Sequence, residues 1–199
     1  MWIAVIGPTG TCKSSIATEL EKKEAFQAFK TPLPEMIPSR LEFEVNQMCS
    51  RHVDCDEIAK NYLEKDIVTV RSFWDSIVYS EASFRAKQIT TTEHRILKNI
   101  YQSLIRSAAP PHGVIYIKPK TQIQSHVRAS LTGVKFDQEY EGHLIECYAE
   151  HSKQIRIPMV EVELTDQFEF MLSQVTEGVN SFRASHIGGA TIWKRSYYR

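Results

Sequence analysis

With 199 residues, 42% of them hydrophobic, the chain holds enough apolar side chain for one well-buried domain and too little for two ordinary ones. Its 24 Lys and Arg balance 24 Asp and Glu, which excludes a nucleic-acid binder held by net positive charge, although not a local basic groove. No apolar run approaches the length of a bilayer span, and the first strand starts without a basic leader before it, so neither a membrane association nor a secretory signal is expected.

The run Trp2-Ile3-Ala4-Val5-Ile6 predicts a buried strand, followed by Gly7-Pro8-Thr9-Gly10-Thr11-Cys12-Lys13-Ser14. That second stretch follows the pattern G-x-x-x-x-G-K-[ST], in which backbone N–H groups turn inward on a polyphosphate, Lys meets its outer oxygens and the hydroxyl ligates Mg²⁺. Cys12 stands where the second Gly belongs, at a corner where a residue with Cβ reaches the backbone angle at a cost. Lys13-Ser14-Ser15 then opens a helix carrying Ile16, Ala17 and Leu20 and ending near Lys23.

A second strand is expected at Ala25 to Lys30, running into Thr31-Pro32-Leu33-Pro34-Glu35-Met36-Ile37-Pro38, whose prolines exclude a helix. Ser39 caps a helix with Leu41, Val45, Met48 and Cys49 as its buried face, and Asp54 to Leu63 predicts a further short helix. Asp66 to Arg71 has the β-branched richness of a buried parallel strand, and Asp75 stands before a helix containing Ile77, Val78 and Tyr79. A helix over Thr91 to Ser107 stops at Pro110-Pro111 before the strand Gly113 to Ile117. Helices at Thr121 to Ala129 and Gln138 to Ser152, a strand at Met159 to Leu164 and a helix from Asp166 to Phe182 complete the domain. The tail from Ser185, ending Trp193-Lys194-Arg195-Ser196-Tyr197-Tyr198-Arg199, either packs its aromatics on the domain or touches a partner.

Alternating strands and helices predict an α/β fold with a mostly parallel sheet covered on both faces and ligands at the carboxyl ends of its strands. Cys12, Cys49, Cys55 and Cys147 lack zinc-knuckle or C-x-x-C spacing and are expected to be free thiols in a reducing, cytoplasmic compartment. Cys12, beside a Lys at a helix start, is where a thiolate is favoured.

The opening strand, loop and helix, Leu33-Pro34-Glu35 after the second strand, Gln47 on the next helix, Arg71 ending the third strand and a helix pair around Arg128 together resemble the deoxynucleoside kinase and thymidylate kinase superfamily over nearly the whole chain. The resemblance implies a P-loop three-layer fold with a five-stranded sheet and a helical lid at about 120–140, a kinase domain over 1–184 and an extension over 185–199. It also implies phosphoryl transfer from ATP, with Mg²⁺, to a nucleoside or nucleoside monophosphate, and a homodimer. Gly7, Pro8, Thr9, Gly10, Thr11, Cys12, Lys13, Ser14 and Ser15 would hold ATP, with Ser14 on the metal. Glu35 would take the proton of the acceptor hydroxyl, Gln47 would pair with the base, Phe43 would stack on it or pack in the core, and Arg71 and Arg128 would meet the transferring phosphate. The carboxylate that normally precedes the Arg is Val70 here, and Asp75 either replaces it or caps its helix. Between Thr121 and Glu139 the candidate lid has only Arg128 and Lys135, with His126, as cations. Two alternatives stay open: an acceptor within a polynucleotide, held by the basic aromatic tail, and a nucleotide-binding member without catalysis.

Overall fold

The computed structural model describes residues 1–29, 39–61, 65–120 and 137–187. Its strands are β1 (Trp2–Ile6), β2 (Gln27–Phe29), β3 (Ile67–Val70), β4 (Gly113–Lys118) and β5 (Met159–Glu163), paired entirely in parallel in the order β2-β3-β1-β4-β5. The helices are α1 (Lys13–Lys23), α2 (Arg40–Asn61), α3 (Asp75–Arg85), α4 (Thr91–Leu104), α5 (Gln138–Ser152) and α6 (Phe168–Ile187). The five-stranded α/β architecture expected from the sequence is the one found.

β1 is central and every residue in it is buried, as a strand covered on both faces requires. Its alternate residues serve different cores: Ile3 and Val5 join α1 and α6 through Ile16, Leu20, Met171, Val175 and Val179, whereas Ala4 and Ile6 join α3 and α5 through Val78, Ala82, Leu144 and Tyr148. A third cluster, with Trp2, Met48, Ile58, Phe73 and Leu97, seats α2 and α4. The chain leaves β1 toward one edge of the sheet and leaves β3, its neighbour, toward the other, so a crevice opens between their carboxyl ends. Residues 7–14 and 71–75 emerge there.

Three expectations need correction. α2 is one continuous helix, with no break between Cys49 and Asp54; polar Gln47 and Arg51 interrupt its apolar spacing yet are themselves buried. That polar stripe rotates the buried face away from Cys49, which is exposed. β2 begins at Gln27 because Ala25 takes the left-handed backbone, φ 57, in the turn after α1. Smaller differences lie at helix ends: α4 starts at Thr91 as expected, behind a capping box of Thr90 and Glu93, but ends at Leu104, and α6 runs past Phe182 to Ile187. Ser39 does cap α2, its hydroxyl accepting from the Glu42 amide at 3.2 Å.

Leu33-Pro34-Glu35, the segment 121–136 with Arg128, Lys135 and His126, and the tail 188–199 lie outside the described residues. Among the described residues no helix is long and apolar enough to cross a membrane, and all four cysteines are free thiols.

Candidate active site

Three positive backbone angles curl the loop between β1 and α1: Gly7 at φ 146, Gly10 at φ 74 and Cys12 at φ 58. Gly7 is required twice over, since a Cβ there would meet the Ile117 carbonyl oxygen at 2.6 Å. Cys12 occupies the left-handed conformation that its side chain disfavours, by an amount on the order of 1 kcal/mol relative to Gly. The corner is therefore built as the motif requires, against the preference of the residue that fills it.

Thr11 is fully buried and its hydroxyl donates to the Pro8 carbonyl at 2.9 Å. Lys13, 7% exposed, folds back over the loop, its ammonium donating to the Pro8 carbonyl at 2.5 Å and to Thr11 Oγ1 at 3.2 Å. Burial, reinforced by the Arg71 guanidinium, pulls its pKa down to about 7, while Asp75 and Glu141 oppose that shift. No acidic residue sits in the first turn of α1 to cancel its positive end, and Ser14 and Ser15 are exposed there. A depression of about 320 Å³ lined by Ser14, Ser15, Thr18, Glu19 and Phe168 runs alongside. The loop thus combines a confined ammonium, a helix N-terminus free of acid and an open flank.

Across the crevice, Arg71 follows β3 with φ 77 and keeps the ladder going, its amide donating to the Val5 carbonyl at 2.9 Å. Its guanidinium lies 4.7 Å from the Tyr79 ring centroid, and that of Arg51 lies 5.4 Å from the same ring. Arg51 in turn donates to Ser76 Oγ and Gln47 Oε1, each at 3.2 Å. That contact fixes which way the amide of Gln47 points: its oxygen is taken, and its buried Nε2 has no partner among the described residues. Tyr79 Oη, Ser80 Oγ, Ser72 Oγ and Glu141 Oε2 are likewise buried and unpaired. Buried polar atoms left open in a group mark where a ligand or water completes the pairing.

Asp75 is fully buried at the start of α3. Sequence reasoning offered it as a metal-placing group or a helix cap, and it stands in the first turn of α3. Oδ2 accepts from the Ser72 amide and Oδ1 from the Tyr148 hydroxyl, each at 2.5 Å. Burial raises its pKa, opposed by Arg51, Tyr148 and the Ser72 amide. Phe43 is half-buried beneath the Arg40 guanidinium, 5.2 Å from its ring centroid, and belongs to none of the core clusters.

The sequence reading did not single out Arg40, Glu44, Arg51, Tyr140, Glu141 or Tyr148. Arg40 pairs with Glu44 at 2.8 Å and donates to Ser83 Oγ and to Tyr140 Oη, tying α2 to α3 and α5. Burial raises the pKa of Glu44 in spite of Arg40 and Arg51. A signal for part of this set was present: Arg40, Glu44, Gln47 and Arg51 recur at helical spacing as a polar stripe on one face of α2.

No family model matches the chain, and no curated protein matches it. Solved structures do. Deoxyadenosine kinase from M. mycoides with the products dCMP and a flexible dCDP bound is 21% identical, with a TM-score of 0.80 over 91% of this chain and all of the other. The same enzyme with dATP bound gives a TM-score of 0.78 at 19% identity over 90% of this chain, and with dCTP bound 0.78 at 18% identity over 91%. The chain therefore has the fold of that enzyme, from end to end of the matched structure.

Proposed function

We propose that the protein transfers the γ-phosphate of ATP, with Mg²⁺, to a nucleoside or nucleoside monophosphate of the deoxy series. The observation that carries this reading is the meeting of two unlike half-sites at one end of the sheet: the loop after β1, and across the crevice a buried cluster of unpaired polar atoms around Gln47, Arg51 and Tyr79, from α2 and α3. A donor and an acceptor held face to face is what phosphoryl transfer needs most, since its catalysis is mainly positioning and charge stabilisation. The fold shared with deoxyadenosine kinase supports the same assignment.

On the donor side the loop amides and the start of α1 receive the phosphates, and Lys13 leaves Pro8 and Thr11 to meet their outer oxygens. The adenine has room along the depression lined by Phe168, Ser14, Ser15 and Thr18. Mg²⁺, held by the Ser14 hydroxyl, would offset the charge of the phosphates. The residues fit a metal held lightly: Ser14 presents an exposed hydroxyl at the start of α1, Val70 packs against the core, and each oxygen of Asp75 already accepts a hydrogen bond. Mg²⁺ commonly keeps several waters and few protein ligands.

On the acceptor side Gln47 Nε2 donates to an acceptor on the base, its orientation fixed by Arg51. Arg71, held against the Tyr79 face, supplies charge to the phosphoryl group in flight. Glu35 would take the proton of the attacking hydroxyl, and Arg128 would add charge to the transferring phosphate.

The test is a screen of radiolabelled ATP against the common deoxynucleosides, ribonucleosides and their monophosphates. Label transferred to at least one of them, and lost in Lys13→Ala, is the expected result. Tight Mg-ATP binding without transfer to any would favour the non-catalytic reading, and label incorporated only into single-stranded DNA would favour the polynucleotide acceptor.

A further inference from the structure

One buried carboxylate of the site has no task in the transfer just described. Glu141, in the first turn of α5, is 5% exposed, and its Oε2 has no hydrogen-bond partner among the described residues. It faces the phosphate loop: the Thr9 hydroxyl and amide lie close enough to favour its charged form, as do Lys13 and Arg71, although burial outweighs them and raises its pKa. An acid in the first turn of a helix is ordinarily explained by the helix dipole, and exposed Glu139, two residues earlier, needs nothing more. Burial beside the donors of an anion cradle, with one oxygen left open, is not explained that way.

We propose that Glu141 is a built-in substitute for phosphate, occupying the Thr9 corner of the loop in the empty protein and giving it up when a polyphosphate chain is bound. The inference rests on the phosphate-loop reading above and adds a positioning residue to it. A carboxylate and a phosphate oxygen compete for the same N–H and hydroxyl, and for the same Lys13 and Arg71. Two anions do not share that corner without mutual repulsion. Glu141 thereby keeps the loop open and hydrogen-bonded while it waits, and lowers its affinity for the donor.

Calorimetry with inorganic tripolyphosphate in EDTA, which excludes metal, separates this from the reading beneath it. Wild-type protein is expected to bind weakly, Glu141→Gln tighter by roughly tenfold or more, and Lys13→Ala not measurably. A residue with a merely structural role does not tighten anion binding when it is replaced. Equal or weaker binding by Glu141→Gln, with Lys13→Ala still defective, overturns the substitute and leaves the cradle. Binding by neither wild type nor variant overturns both. Should Glu141→Gln fail to fold, the wild-type protein serves: the ¹³C resonance of the Glu141 carboxyl is expected to shift when tripolyphosphate saturates the loop, and an unmoved resonance overturns the proposal.

Discussion

The two half-sites are built in opposite ways. The proposed donor side is contiguous, residues 7–15, and would work through backbone: positive angles at Gly7, Gly10 and Cys12, the start of α1 and one ammonium. The proposed acceptor side is assembled from α2, α3 and the end of β3 and would work through side chains, with Gln47 oriented by Arg51, Arg51 anchored to Ser76 and Arg71 laid on Tyr79. A backbone cradle binds any polyphosphate and selects little. A cluster of side chains with particular donors left open selects, and is where specificity would reside.

Substitutions that break one half and spare the other sharpen this contrast. Lys13→Ala should have the largest effect, a loss of about 10²-fold or more in kcat/KM, with the melting temperature nearly unchanged because the ammonium is buried at a cost and anchors no core element. Steady-state rates with melting curves check both; wild-type-like turnover would remove the donor half. Gln47→Ala should raise the acceptor KM by about ten- to a hundredfold and leave Mg-ATP binding alone. Equal losses for the two substrates would mean that Gln47 is structural.

Tyr148→Phe tests the frame beneath the acceptor side. It strips a hydrogen bond from the fully buried Asp75, and unfolding by denaturant should show about 1–3 kcal/mol less stability. Proton linkage tests the donor side. With a pKa near 7 in the empty loop, Lys13 is mostly neutral at mildly alkaline pH. A bound polyphosphate favours the charged form and lifts that pKa, so binding there should take up protons, and affinity should fall as pH rises above about 7. Calorimetry in buffers of different ionisation enthalpy reads the uptake directly, with Lys13→Ala as the control. The smallest effect belongs to Cys12→Gly, which relieves a left-handed backbone and should gain up to about 1 kcal/mol, read as a small rise in melting temperature.

The same contrast explains what could be read from the amino acids beforehand. Five strands, the phosphate loop and the awkward corner at Cys12 were legible because each is specified within a dozen neighbouring residues by periodicity, Gly placement or a Lys-Ser pair. Gln47 and Arg71 stood out only through resemblance, and their roles are proposals. Arg51, Tyr148 and Glu141 were missed since their meaning comes from partners 25, 73 and over a hundred positions away, at Ser76, Asp75 and Thr9. Cys49 shows the same limit from the other side: its neighbours suggested an apolar face, whereas the polar side chains Glu44, Gln47 and Arg51 are buried and Cys49 is turned outward.

The central claim is that one molecule can lie across both halves at once. Dinucleoside polyphosphates, adenosine joined through a phosphate chain to deoxyadenosine, deoxycytidine or thymidine, test it by titration calorimetry. At least one should bind one per chain, tighter than ATP, and be weakened both by Lys13→Ala and by Gln47→Ala. A linked ligand that binds no better than ATP, or that ignores either substitution, would contradict it.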